Sequence, residues 1–217
     1  MLIYVLIYIT IVPVSDKKQM TVERVKELFR EQGGVMRTRD ALRRGVHPAT
    51  LYAMRDRGLL AMLTRGVYHL CDAPLDGSDD LVAVAHRVPK ARICLISALA
   101  FHDLTTQIPH VVYCALPRHV NRPKVDHPPV RYFIFSRECY EDGVEYHEVS
   151  GTRLAVYSIE KTLADCFKYR NQIGMDTVME ALRLYRARKT LKVKELMAHA
   201  RICRVHNILT PYIEAIL

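Results

Sequence analysis

Seven arginines lie between residues 37 and 65, at positions 37, 39, 43, 44, 55, 57 and 65, against two acids, Asp40 and Asp56. Guanidinium groups at this density grip phosphate oxygens in a bidentate way and displace the counterions that screen a nucleic acid. The whole chain has the same bias: 32 Lys and Arg face 23 Asp and Glu, a formal net charge of +9. Such a surplus favours a polyanionic partner, nucleic acid ahead of a membrane surface.

Other combinations point to weaker chemistry. Ser97, His102 and Asp103 are the residue types of a hydrolytic triad, but they crowd one short segment, whereas a triad needs side chains converging from separate elements. Ser97 is expected to cap a helix. Lys161 and Asp165 are four apart on a predicted helix, in the weaker orientation for an ion pair, with Lys first. His199, Cys203 and His206 share a helical face and are of types that suit zinc, yet no fourth ligand is evident. The six cysteines stand singly, several in apolar runs such as ARICLIS and VVYCAL, and are read as small buried thiols in a reducing cytoplasm. With no phosphate-cradling glycine loop, no paired carboxylates at working distance and no metal cluster, the expectation is a non-enzyme that carries no cofactor or metal.

The arginine-rich stretch must be held by elements that can present it. Thr21 can cap a first helix reaching Glu31, with Val22, Val25, Leu28 and Phe29 as its apolar stripe. Thr38 is expected to cap a short second helix with Ala41 and Leu42 facing inward, and Gly45 supplies a turn. His47-Pro48 starts a third helix, with proline where the missing N–H costs nothing, and Gly58 closes it. LLAML, a turn at Thr64-Arg65-Gly66 and VYHL then form a hairpin. Helix, turn, helix and wing together predict a winged helix-turn-helix.

With Leu51, Met54 and Gly58 turned inward, the third helix shows Ala49, Tyr52, Ala53 and Asp56 outward, flanked by Thr50 and Arg57 on one side and Pro48 and Arg55 on the other. The small alanines let the backbone approach base edges, and Tyr52 and Thr50 can hydrogen-bond or touch a thymine methyl. Arg37, Arg39, Arg43, Arg44 and Arg57 suit phosphates, and Arg65 at the wing tip suits an adjacent minor groove. Asp56 is expected to face the groove or to pair with a nearby arginine. The expected DNA-binding residues are thus Arg37, Arg39, Arg43, Arg44, Ala49, Thr50, Tyr52, Ala53, Arg57 and Arg65.

Three segments follow from composition. Residues 1–19 are an N-terminal extension whose first 14 residues are apolar except Thr10, too short as a helix (about 21 Å) to span a bilayer; a translation start at Met20 is the alternative. Residues 20–72 form the winged domain. After a linker in CDAPLDGSDD, residues 78–217 form a second domain. There a helix runs to Val88, and ARICLIS is a possible strand. SALAFHDL is a helix, VVYCAL and VRYFIFS are buried strands, and a hairpin turns at Ser150-Gly151. Helices follow at Ser158–Arg170, Asp176–Lys189 and about 192–204, with a last one capped by Thr210. The loop RHVNRPK between the buried strands is basic. The fold class is α+β, a winged helix-turn-helix followed by a mixed α/β domain ending in helices.

The string GGVMRTRDALRRGVHPATLYAMRDRGLLAMLTRGVYHL resembles the N-terminal domain of AbiEi-type antitoxins from bacterial type IV toxin–antitoxin (abortive-infection) systems. SALAFHDLTTQIPHVVYCALPR, VYSIEKTLADCFKYRNQIGMDTVMEALR and LTPYIEAIL resemble the family's C-terminal region, so the likeness spans about Met20 to Leu217. It implies a cytoplasmic phage-defence protein that represses its own operon at promoter inverted repeats and opposes a nucleotidyltransferase-like toxin, with or without direct contact. Residues 1–19 have no place in the family pattern. Within the matching motifs, Lys161, Thr162, Asp165, Glu180 and Arg183 are candidates for an antitoxin surface, or for polar groups joining the last helices to the sheet. Two rival readings are a ligand-responsive winged-helix regulator without a toxin partner and a nuclease with a winged targeting domain. The scattered acids of the second domain speak against the nuclease.

Overall fold

The computed structural model describes residues 20–73 and 78–216. The N-terminal residues 1–19 and the middle of the linker lie outside the described residues.

Helix α1 (Val22–Glu31) begins where the Thr21 hydroxyl accepts from the Arg24 N–H at 3.4 Å, and it buries Val25, Leu28 and Phe29. Strand β1 (Val35–Arg37), helices α2 (Thr38–Arg43) and α3 (Pro48–Asp56), and strands β2 (Leu60–Thr64) and β3 (Val67–Leu70) follow. The strands form an antiparallel sheet in the order β1-β3-β2. Strand β1 is an addition to the expected helices and hairpin. It has only three residues, too few for a period-two pattern to show in sequence, and its pairing with β3 is what fixes it.

The second part comprises α4 (Asp79–Arg87), β4 (Arg92–Ile93), α5 (Leu95–Phe101), β5 (Val112–Pro117), β6 (Val130–Phe135), α6 (Arg137–Glu141), β7 (Val144–Val149) and β8 (Thr152–Tyr157). Helices α7 (Ile159–Lys168), α8 (Arg170–Ile173), α9 (Met175–Arg186), α10 (Val193–Ile202) and α11 (His206–Ile216) complete it. Its five-stranded sheet has the order β6-β5-β4-β8-β7. It is mixed: β5 runs parallel to β6 and β4 parallel to β8, while β4–β5 and β7–β8 are antiparallel.

Alternation along the strands gives each face of this sheet its own core. Ala115, Phe133, Phe135 and Tyr157 face α5, α7 and the closing helices. Val112, Cys114, Leu116, Leu154 and Val156 face the other way, onto Val82, Val84 and Val88 of the α4 segment. Val35 and Val67 of the winged sheet belong to this second core, so the two parts of the chain share buried apolar surface.

Four local expectations shift. Thr38 is the first residue of α2 rather than its cap, and Leu42 is exposed while Ala41 is buried. Only Arg92–Ile93 of ARICLIS is strand, and α5 already starts at Leu95. Ser97 is therefore inside the helix rather than capping it; its buried hydroxyl accepts from the Tyr113 N–H at 2.9 Å. Helix α11 starts at His206, with Pro211 inside it and the Thr210 hydroxyl donating to the His206 carbonyl at 2.8 Å. Burial of Leu209 and Ile213 against the core outweighs the proline's preference for a first turn.

Candidate nucleic-acid interface

The His47 ring, at the N-cap of α3, accepts from the Ala49 N–H at 3.2 Å, and Pro48 occupies the first turn. Leu51 and Met54 anchor the helix in a core with Phe29, Met36, Leu60 and Leu70. This leaves Ala49, Tyr52, Ala53, Asp56 and Arg57 exposed along one face, with Tyr52 at 49%. Thr50 departs from the expected reading face. It is four residues before Met54, on the same side of the helix, and is only 6% exposed.

Asp56 is neutralised within its own helix end: the Arg55 Nε and Nη2 donate to its Oδ1 at 2.9 and 2.7 Å. The Arg55 guanidinium also lies 5.4 Å from the Tyr52 ring centre. The face therefore presents two alanines and a tyrosine with its one acid already paired.

The cations divide into two groups. Arg44, Arg57 and Arg65 are exposed and pair with no acid among the described residues. Arg39 and Arg43 are exposed and share the Asp40 carboxylate at 3.5 and 3.8 Å, loose pairs that phosphate can replace. Arg65 lies in the turn between β2 and β3. That turn is tied to the start of α2, because the Thr38 N–H and hydroxyl both donate to the Gly66 carbonyl, at 2.9 and 3.3 Å.

Arg37 belongs to neither group. Its Nε donates to the His86 Nδ1 at 3.0 Å and its Nη2 to the His86 carbonyl. The His86 Nε2 then reaches the Thr152 hydroxyl at 2.9 Å. Burial, with the Arg37 and Arg39 charges beside it, lowers the His86 imidazole to about 4. Burial and the neighbouring Arg39 also lower the Arg37 guanidinium from its ordinary value. The sequence marked Arg37 as a phosphate ligand; the structure commits its fork to the junction between the winged sheet and α4.

The candidate antitoxin surface separates in the same way. Lys161, Thr162 and Asp165 are fully buried and form no surface. The Lys161 ammonium donates to Asp165 at 2.5 Å and lies 4.4 Å from the Tyr157 ring centre. The Thr162 hydroxyl donates to the Tyr157 carbonyl at 3.2 Å, and the Cys203 thiol to Asp165 at 3.2 Å. These groups join α7 to the sheet and to α10, the second of the two roles expected for them. Burial raises the Asp165 carboxyl above its ordinary range, which Lys161 only partly offsets. Glu180 instead holds a loop, accepting from the Thr105 hydroxyl, the Thr106 N–H and the Thr106 hydroxyl at 3.0, 2.9 and 2.6 Å. Arg183 is exposed on α9.

The remaining candidates disperse. His102 bonds the Tyr157 carbonyl at 2.8 Å and Asp103 is exposed, so neither approaches Ser97 as a triad would require. His199 pairs with Asp142 at 2.7 Å, away from the Cys203 thiol's partner Asp165. Among the described residues no group of three His, Cys, Asp or Glu is placed to hold a metal ion. No helix among them is long and apolar enough to cross a membrane.

No curated protein matches the chain significantly. The fold is similar to that in the crystal structure of the RV2827C protein from Mycobacterium tuberculosis. That match has a TM-score of 0.54 and 15% identity, covering 84% of this chain and 76% of the other. A family model described as "Transcriptional regulator, AbiEi antitoxin" matches residues 23–70, the span from α1 through the wing. Over those residues the chain is similar to this family of transcriptional regulators.

Proposed function

We propose that this protein is the antitoxin of a type IV toxin–antitoxin system and represses its own operon by binding inverted repeats in promoter DNA. The observation that carries the reading is the exposed face of α3, Ala49, Tyr52 and Ala53, flanked by Arg57 and Arg65, which pair with no acid among the described residues, within the segment that matches the family. On this reading α3 enters the major groove while Arg39, Arg43, Arg44, Arg57 and Arg65 meet phosphates. The partner toxin would be nucleotidyltransferase-like, and the setting a bacterial cytoplasm, which suits six unpaired cysteines. The protein has no catalytic role in this scheme. The domains implied are residues 20–72 for DNA and 78–217 for neutralisation.

Mobility-shift titration with the protein's own promoter tests the DNA half. Arg57→Ala and Arg65→Ala should each weaken binding to any duplex and flatten the salt dependence by about one unit of log–log slope. Tyr52→Ala should change sequence preference. Unchanged binding in all three refutes the assignment. Rescue from the toxicity of the adjacent gene tests the other half. A ligand-responsive regulator is the second reading. It is favoured by a 510 Å³ cavity beside α5, lined by Ser97, Phe101, Gln107 and Val112. Failure of rescue together with intact operator binding would support it.

A further inference from the structure

We propose that Arg87, at the C-terminal end of α4 in the second domain, completes a phosphate-binding groove with Arg39 and Arg65, so that duplex DNA is gripped by both domains at once. The proposal rests on the DNA-binding reading above and adds to it a residue outside the winged domain.

The three arginines border one surface groove of 390 Å³, whose lining also includes Thr38, Gly66 and Pro89. All three are exposed. Neither Arg65 nor Arg87 has an acid within 4 Å among the described residues, and Arg39 has only the loose contact with Asp40 at 3.5 Å. They come from three elements, α2, the turn between β2 and β3, and α4. No carboxylate lines it. Arg37 and His86 also line it.

The walls are braced from within. Thr38 holds the wing turn through Gly66, and the Arg37–His86–Thr152 chain holds α4 against β1 and β8. A groove whose cations stand on fixed elements loses little ordering entropy when a phosphodiester enters. Guanidinium forks match phosphate oxygens in pairs, and a run of phosphates meets several forks at once. The position beside the wing tip places the groove where the backbone flanking a wing-bound duplex would pass.

The test uses the full chain and two duplexes, its own promoter and an unrelated sequence of equal length, titrated by fluorescence anisotropy over a range of salt. Arg87→Ala should weaken both duplexes several-fold near physiological salt and reduce the log–log salt slope by about 0.9. Arg87→Lys should restore most of the slope, since a charge is kept while the fork is lost. Arg201→Ala, an exposed arginine on α10, is the control and should change nothing. If Arg57→Ala and Arg65→Ala weaken binding while Arg87→Ala does not, the groove proposal fails and the winged-domain reading stands. If none of the three matters, the DNA reading itself fails. Arg87→Ala that keeps full DNA affinity but loses toxin neutralisation would assign the groove to an acidic protein and overturn the proposal.

Discussion

Arg37 donates to the Nδ1 of His86 at 3.0 Å, joining the last residue of β1 to helix α4. With Nδ1 accepting, the ring proton is on Nε2, directed at the Thr152 hydroxyl. One neutral imidazole thus connects an arginine of the winged sheet to a threonine of the β7–β8 hairpin, over a core that both parts share.

This junction should be acid-sensitive. The His86 pKa is about 4 in the folded chain against an ordinary 6.5. A depressed imidazole leaves stability intact above 6.5. Below that the unfolded chain takes up a proton that the native ring refuses, so stability falls as pH drops from 6.5 and levels off below about 4. Arg37 and Arg39 oppose ring protonation, and Asp40 favours it. Thermal melts of wild type and His86→Asn should diverge most at neutral pH and converge toward pH 4. Curves that stay parallel throughout would show that His86 carries no such linkage.

Gly151 and Gly58 both have positive φ, +67° and +69°, but in different surroundings. A Cβ at Gly151 would fall on the Gln32 carbonyl at the end of α1, while one at Gly58 meets nothing within 4 Å. Gly58→Ala should cost only the left-handed backbone penalty, about 1 kcal/mol. Gly151→Ala should cost at least about 2 kcal/mol, as the hairpin must also move off the end of α1. Urea unfolding of the two variants measures the difference; equal costs would mean the contact between the hairpin and α1 is soft.

Removing one partner of the Lys161–Asp165 pair leaves the other charge buried. Lys161→Met should destabilise by about 3–5 kcal/mol, and the double variant Lys161→Met/Asp165→Leu should recover much of that loss. Chemical denaturation of the three proteins reads this directly. A single variant costing under about 1 kcal/mol would contradict the burial described here.

Thiol labelling should be strongly uneven. Cys71 is exposed, whereas Cys94, Cys114, Cys139, Cys166 and Cys203 are buried. Burial also pushes the Cys94, Cys114, Cys166 and Cys203 thiols up, away from the reactive thiolate. One rapid modification in native conditions, at Cys71, and five more after denaturation is the expected mass pattern. The sequence reading of all six as buried thiols fails at Cys71 alone, which follows the last strand of the wing and is exposed.

The sequence by itself determined what is local. A proline after His47, an N-capping Thr21, a turn at Arg65-Gly66 and the apolar stripe of Val25, Leu28 and Phe29 act over a few residues. The helices and wing they specify are found where expected. The outward face of α3 was legible for the same reason, since helical spacing alone separates Tyr52 from Leu51. Tertiary structure decided the rest. Thr50, Lys161, Thr162 and Asp165 are polar residues whose burial depends on what packs over them. Strand β1 exists only because β3 pairs with it, and the parallel pairing of β5 with β6 joins segments separated by a basic loop. The diversion of Arg37 to His86, 49 residues away, is likewise long-range. A guanidinium has the same sequence signature whether it meets phosphate, solvent or a histidine, and only the fold chooses among them.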